Sequence, residues 1–256
     1  MPINKTMTDS ERGKDFLGFI CLSKETFDET FRRHEKGCQH LLKTDSLWAD
    51  LLQCQVPVKD KVMSSVFAIQ GHSLFRASLA NAFSGHVAPI YPLLRNALEC
   101  CFYGIIISEQ PELMDVWIDR HGSLSSFKKC REKFTASRAL KLLKKTDANL
   151  GAFAQEAYDS TIDFGAHPNV KGVVNHITVN ELENYHQLQI TYLHGSGFET
   201  SRGLVACSEI GLCMLFIMIY LLPERSSEIK MIELANEHFL DFSPELFGVS
   251  SAIRDQ

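Results

Sequence analysis

The sequence contains few of the residues that build tight turns. Its 256 residues include only 15 glycines and 8 prolines, so a β-rich fold with many reverse turns is not expected. The sequence also lacks the glycine-rich loops of P-loop and dinucleotide-binding proteins, the GxSxG nucleophile elbow and the HExxH zinc motif. None of these well-marked enzyme classes is therefore predicted.

Paired cysteines are also missing. The chain has 8 cysteines but no CxxC pair, and several of them lie in apolar stretches beside leucine and isoleucine. This pattern favours buried free thiols in a reducing compartment over disulfides or a zinc site. The N-terminus is polar and has no apolar signal-peptide core, so we predict a cytoplasmic protein with no cofactor and no metal.

What the sequence does contain is typical of a packed helical protein. Hydrophobic residues make up 45% and charged residues 22% of the chain, which are globular values. Apolar residues recur at spacings of three and four along most of the chain. The period changes to a partly alternating, β-rich pattern at about 173–193. We predict an all-α multi-helix bundle with one inserted β-hairpin, organised as a flexible tail (1–14) and a single helical domain (15–256).

One segment is long and apolar enough to cross a membrane. Residues 203–222 have the length of a membrane span, but Ser208 and Glu209 interrupt them and leave only 210–222 uninterrupted. We predict a central helix of the bundle rather than a span, and membrane association is not expected.

A polar seam runs along the most apolar helix, which is predicted at about 88–108. Tyr91, Arg95, Glu99 and Tyr103 follow one another at i, i+4 spacing, so they share one side. Burying a guanidinium and a carboxylate is costly unless they are paired. The seam is thus either a structural ion pair that joins the bundle to a loop or to another helix, or a cleft in which Arg95 binds an anion and Glu99 orients a base. Tyr103 is then a candidate ligand-binding residue. An exposed surface or an oligomer interface is the remaining alternative.

A second group of polar residues closes the next long helix, which is predicted at 148–167. Asp159, Asp163 and His167 follow at i, i+4 and i+8, and Asn169 comes just after Pro168. Asp163 could hold one imidazole nitrogen of His167 and leave the other free for a proton or a ligand. The alternatives are a solvated helix face with a histidine that complements the helix dipole, and a less specific metal site that includes Glu99.

Two further features carry positive charge. Arg76 falls on the apolar stripe of the helix predicted at 61–85, so it should be buried and is a candidate ligand-binding residue. Residues 128–145 hold eight basic residues and one acidic residue, a balance of +7, which leaves −12 for the rest of a chain of net charge −5. This basic helix, with Lys141, Lys144 and Lys145, is either a solvated face or a binding surface for RNA or an acidic partner protein.

The chain from about 61 to 222 resembles a group of uncharacterised bacterial helical proteins. In that group an Arg-x-x-x-Glu helix, here Arg95 and Glu99, precedes a helix that ends in His-Pro, here His167 and Pro168. The group resembles the HEPN-like superfamily, which includes RNases and partners in toxin–antitoxin and phage-defence systems. The resemblance implies that Arg95, Glu99 and His167 meet in one cleft as catalytic residues. The HEPN catalytic pattern is an arginine, four to six further residues and then a histidine, and only Arg33 and His40 match it. Metal-independent ribonuclease activity is therefore less strongly implied than the fold.

Two functions follow from these patterns. One is an RNA-binding or RNA-cleaving protein of phage defence or stress response, in which Arg95 would hold a phosphate and His167 would transfer a proton. The other is a non-catalytic interaction module that forms a homodimer or a complex with a partner protein through the basic helix and the hairpin edge.

Overall fold

A computed structural model describes residues 15–53, 62–166, 170–174, 176–182, 185–195, 197–228 and 230–250. The predicted tail, 1–14, lies outside these residues. The first half of the described chain is a series of helices: α1 Phe16–Arg33, α2 Glu35–Leu52, α3 Val62–Phe83, α4 Ile90–Glu109, α5 Leu113–Ile118 and a 3₁₀ turn at Asp119–His121.

The second half contains the basic segment, the hairpin and the longest helix. Its elements are α6 Leu124–Lys133, α7 Ala136–Thr146, α8 Ala148–Thr161, a π-helical turn Ile162–Ala166, α9 Val170–Val174, β1 Ile177–Leu182, β2 Tyr185–Ile190, α10 Phe198–Leu221, α11 Pro223–Glu228, α12 Met231–Leu240 and a 3₁₀ turn Pro244–Phe247. The predicted all-α bundle with one inserted hairpin is confirmed.

Helices α4 and α10 form the centre of the bundle. α10 packs against α2, α3, α4, α8 and α12, and α4 also packs against α3 and α7. Both helices are apolar on nearly every side, which is why they can be surrounded by others. By length and composition both could also cross a membrane, but within the fold 67% of the α4 window and 78% of the α10 window is buried.

Much of the apolar stripe predicted for the helix at 61–85 faces solvent instead of the core. Val66, Ile69 and Arg76 are exposed, and the buried side of α3 instead carries Ala68 and Phe75. Small residues on this side allow α3 to approach α4 closely, because a Cβ added at Gly71 would lie 3.3 Å from the carbonyl oxygen of Ala97. The prediction that Arg76 is buried is therefore wrong.

The predicted single basic helix is two helices. α6 ends at Lys133, and Phe134 has non-helical backbone angles of φ −105° and ψ 83°. Thr135 then caps α7, because its side-chain oxygen accepts a hydrogen bond from the backbone N–H of Arg138. Phe134 is 5% exposed, so the break turns an aromatic side chain into the core.

The helix predicted at 148–167 also ends early. α8 stops at Thr161, and the π-helical turn that follows contains Gly165 at φ 135°. This conformation is strained for residues other than glycine. Asp163 therefore lies in the π-helical turn and does not continue the regular spacing of α8. His167 and Asn169 lie outside the described residues.

The hairpin has a well-defined register, and most of its described side chains are exposed. β1 pairs antiparallel with β2, with Ile177 opposite Ile190 and Val179 opposite Leu188. Its base is held by two histidines, since the Nδ1 of His176 and the Nε2 of His194 share a hydrogen bond of 2.7 Å.

Candidate functional site

The predicted seam on α4 is a hydrogen-bonded network that reaches α8. The Nε of Arg95 donates to Oε1 of Glu99 at 3.0 Å, one helical turn away. The Nη2 of Arg95 also donates to the hydroxyl of Tyr158 at 2.9 Å. That hydroxyl in turn donates to the same Glu99 oxygen at 3.2 Å. The ion pair thus joins α4 to α8, as the structural interpretation of the seam requires.

This network is only partly shielded from water. The side chain of Arg95 is 20% exposed and that of Glu99 is 35% exposed. Burial acts to lower the pKa of Arg95, but the hydrogen bond and charge of Glu99 outweigh it, so the pKa is raised. Burial and the adjacent Glu99 charge raise the pKa of Tyr158. The arginine therefore stays charged and the tyrosine stays protonated at neutral pH.

The two tyrosines of the seam lie in different surroundings. Tyr91 is buried, and its ring stacks on Phe164 at a centroid distance of 5.7 Å. Tyr103 is half-buried and packs against Phe134 at 4.9 Å. Burial, followed by the charge of Glu99, raises the pKa of Tyr103. The Tyr103 end of the seam opens to a cleft.

Glu99 and Tyr103 line a polar cleft of about 380 Å³. The cleft lies between α4, the 3₁₀ turn at Asp119–His121, α6, the start of α7, and α8. Its volume is within the range of small-molecule sites. The lining residues are Glu99, Phe102, Tyr103, Arg120, Cys130, Arg131, Phe134, Thr135, Ala136 and Tyr158.

Two arginines in this cleft share one aromatic ring. The guanidinium carbon of Arg120 lies 5.4 Å from the ring centroid of Phe127, and that of Arg131 lies 5.7 Å from the same centroid. Both guanidinium groups are thus attracted to one phenylalanine. Within the described residues neither arginine has a carboxylate partner, and the buried Nε of Arg120 has no hydrogen-bond acceptor.

This arrangement is suited to binding an anion. Two guanidinium groups near one ring repel each other, and a phosphate or carboxylate placed between them would relieve that repulsion. Of the predicted candidates, Glu99 and Tyr103 line this cleft, and Arg95 is bonded to Glu99 and Tyr158 at its edge.

The other cationic candidates lie elsewhere. Lys141, Lys144 and Lys145 are exposed on α7 and do not line the cleft. Arg76 is bidentate to Asp45, with Nε–Oδ1 2.7 Å and Nη2–Oδ2 2.9 Å. Asp45 also bonds to the Nε2 of His72 at 2.7 Å. Asp45 thus neutralises Arg76, which the structure does not bring near the seam.

Of the predicted acidic and histidine group, the structure describes Asp159 and Asp163. Asp159 is exposed and accepts hydrogen bonds from the side-chain amide of Gln155 at 3.1 and 2.9 Å. Asp163 is exposed in the π-helical turn. Because His167 and Asn169 lie outside the described residues, their convergence with Arg95 and Glu99 stays a prediction. Among the described residues, no three His, Cys, Asp or Glu side chains are grouped as metal ligands.

Arg33 and His40, the pair closest to the HEPN spacing, are on different helices. Arg33 is the last residue of α1, while His40 lies in the second turn of α2. His40 is 7% exposed, and its ring stacks on His238 at 3.9 Å beside a second cavity of about 330 Å³. The Nε2 of His40 is buried and has no hydrogen-bond partner within the described chain. His40 is thus a packed core histidine.

The sequence did not identify two residues of the cleft, Tyr158 and Arg120. Tyr158 directly precedes Asp159, and no local pattern in the sequence pairs it with Arg95 or Glu99. Arg120 lies in a short 3₁₀ turn where no periodicity marks the buried side. Arg131 belongs to the basic segment 128–145, in which no pattern separates it from the other basic residues.

In comparisons with known proteins, no protein-family model, no curated protein and no solved structure matches this chain.

Proposed function

We propose that this protein is a cytoplasmic, HEPN-like helical protein that binds RNA. The polar cleft would bind backbone phosphates of the RNA strand. The observation that carries the proposal is the pair of arginines on Phe127, which has no carboxylate partner in the described structure. Arg120 and Arg131 would each contact a phosphate oxygen, because guanidinium groups match phosphate geometry.

The surroundings of the cleft support the same proposal. α6 and the start of α7 contribute Arg131 and Thr135 to its wall, so the basic segment continues directly from the cleft. Lys128, Lys129 and Lys141 are exposed on these two helices. A strand with one phosphate in the cleft would therefore meet further positive charge along α6 and α7.

The first experiment measures binding of a fluorescein-labelled, single-stranded RNA by anisotropy. We expect the double variant Arg120→Gln/Arg131→Gln to bind about tenfold more weakly or worse, because two phosphate contacts are lost. The slope of log K against log salt should also fall by about 1.4, the value for two contacts to a single strand.

Arg32→Gln is the matched control, since Arg32 is an exposed arginine on α1 that does not line the cleft. It should bind RNA as the unaltered protein does. Equal affinity of the double variant and the unaltered protein would refute the proposal. The same RNA, incubated with the protein in EDTA and run on a denaturing gel, shows whether binding is followed by metal-independent cleavage.

A non-catalytic interaction module is the second candidate function, and the hairpin favours it. Val179, Leu188 and Ile190 lie on one face of the sheet and are 55%, 63% and 53% exposed. A two-stranded sheet with an uncovered apolar face is marginal alone. A second copy of the chain would cover this face with its own, as two-fold symmetric dimers do.

Leu188→Lys tests this candidate. We expect it to convert a dimer into a monomer in sedimentation equilibrium, because a charge would be buried at the centre of the shared face. Gln187→Lys places the same charge on the opposite face of β2 and should leave the dimer intact. An unaltered protein that is monomeric at high concentration would exclude the homodimer.

A further inference from the structure

Glu99 is a carboxylate in a cleft that otherwise suits an anion. Its Oε1 accepts two hydrogen bonds, from Arg95 at 3.0 Å and from Tyr158 at 3.2 Å. A carboxylate oxygen has two lone-pair sites, so Oε1 is fully used. Within the described chain its second oxygen, Oε2, accepts no hydrogen bond, although the side chain lines the cleft and is 35% exposed.

A free carboxylate oxygen selects for a particular kind of ligand. It repels phosphate, so in an anion site it carries a cost unless the ligand also presents a donor. Because only one oxygen is available, a single hydroxyl fits better than the edge of a guanine base, which would use both oxygens. A ligand that suits this cleft therefore carries a phosphate and, a short distance away, a single hydrogen-bond donor such as a hydroxyl.

The position of Glu99 in the cleft fits this requirement. Arg120 and Arg131 come from the 3₁₀ turn and α6, while Glu99 comes from α4 on another wall. Arg95 and Tyr158 hold the carboxylate in place, so little freedom is lost when it binds a ligand. Tyr103, one turn further along α4, also belongs to the lining, where its ring packs against Phe134 and Phe67.

We propose that the cleft takes one ribonucleotide unit of a strand, with its phosphate on Arg120 and Arg131 and its 2′-hydroxyl donating to Oε2 of Glu99. This inference rests on the proposed function and extends it, since it makes Glu99 the residue that distinguishes RNA from DNA. The 2′-hydroxyl is the group by which proteins separate the two polymers. DNA would place no donor against the carboxylate.

The test changes the ligand and leaves the protein unaltered. Three labelled strands of one base sequence are compared by anisotropy: RNA, the 2′-deoxy strand with uracil bases, and 2′-fluoro RNA. Fluorine keeps the RNA-like sugar pucker but cannot donate a hydrogen bond. We expect both modified strands to bind about tenfold more weakly than RNA or worse, because the lost hydrogen bond is to a charged acceptor.

A protein variant gives the complementary test. Glu99→Ala removes both the acceptor and the repulsion, so the RNA/DNA affinity ratio should fall to about one while DNA binding becomes tighter. Glu132→Gln is the matched control, because Glu132 is an exposed acid of α6 outside the cleft lining. It should tighten binding of both strands and leave their ratio unchanged.

The outcomes separate this inference from the proposed function. If 2′-fluoro RNA binds as tightly as RNA, the assignment of Glu99 is wrong while RNA binding at the cleft stands. If none of the three strands binds, both proposals fail. The ligand comparison does not depend on the folding of any variant, so a misfolded Glu99→Ala protein would not obscure the result.

Discussion

Replacing Trp48 by alanine is expected to lower the free energy of unfolding by about 3–5 kcal/mol. Trp48 is fully buried in α2, where its ring stacks on His72 at 5.2 Å and on Phe75 at 6.2 Å. Its indole N–H donates to the carbonyl oxygen of Gly211 in α10 at 3.3 Å. The substitution would leave a cavity between three helices and an unpaired carbonyl group.

Urea unfolding followed by circular dichroism measures this loss. Trp48→Phe is the matched variant, since it keeps an aromatic ring between His72 and Phe75 but loses the indole N–H. It should cost about 1–3 kcal/mol, the penalty for a buried acceptor left without its donor together with a small loss of packing. A loss below about 1 kcal/mol for the alanine variant would show that α2 does not pack on α10 as described.

Acidification from pH 7 to pH 4 is expected to destabilise the fold by about 3 kcal/mol through His40 alone. Burial, followed by the charge of His238, lowers the pKa of His40 from 6.5 to about 4. In the unfolded chain His40 takes up a proton near its ordinary pKa of 6.5, whereas in the folded protein it takes up a proton only near pH 4. Stability is therefore complete above about pH 6.5 and is lost as the pH falls toward 4.

Other buried histidines act in the same direction. Burial lowers the pKa of His72 and of His238, so both add to the loss at acid pH. Asp45 acts later. Burial raises its pKa, but the hydrogen bonds from Arg76 and His72 outweigh burial and lower it overall, so its contribution disappears only below the ordinary aspartate range.

His40→Phe isolates the contribution of one residue. A phenyl ring can keep the contacts with His238 and Phe242, whose ring centroids lie 3.9 Å and 5.6 Å from that of His40, but it cannot titrate. Urea unfolding at pH 7, 5.5 and 4 should show a decrease about 3 kcal/mol smaller for the variant than for the unaltered protein. Parallel decreases in the two proteins would mean that His40 is protonated as easily in the fold as in the unfolded chain.

The features predicted well from the sequence were those with a strong local pattern. The apolar pattern predicts a helix at about 88–108, and the observed range of α4, Ile90–Glu109, differs little from it. The hairpin was recognised because the period changes from helical spacing to alternation. Its strands, 177–182 and 185–190, lie inside the predicted range. Such patterns depend only on neighbours in the chain.

The orientation of α3 could not be read in the same way. Apolar residues occur on both of its sides, with Val66 and Ile69 on one and Ala68 and Phe75 on the other. The buried side was selected by close approach to α4 through small residues, which is a tertiary effect. Counting large apolar residues favoured the exposed side and gave Arg76 a buried position that it does not have.

The sequence predicts the local pair at the edge of the cleft but not the residues that other elements contribute. The i, i+4 pairing of Arg95 with Glu99 is a local pattern, and it is present in the structure. Tyr158 and Arg120 come from elements far along the chain, and nothing near them marks their direction. The break at Phe134 and Thr135, which opens the wall of the cleft, was hidden inside a continuous run of basic residues.

The uneven distribution of charge has a kinetic consequence. The basic surface of α6 and α7 belongs to a molecule whose total charge is −5, so a polyanion is repelled at long range and attracted only close to that surface. Dissolved salt shortens the range of both forces, to about 10 Å at 0.1 M. Moderate ionic strength should then screen the long-range repulsion between the polyanion and the net negative charge before it screens the short-range attraction to the basic surface. The encounter rate with a polyanion would pass through a maximum as salt is added, instead of falling from the start.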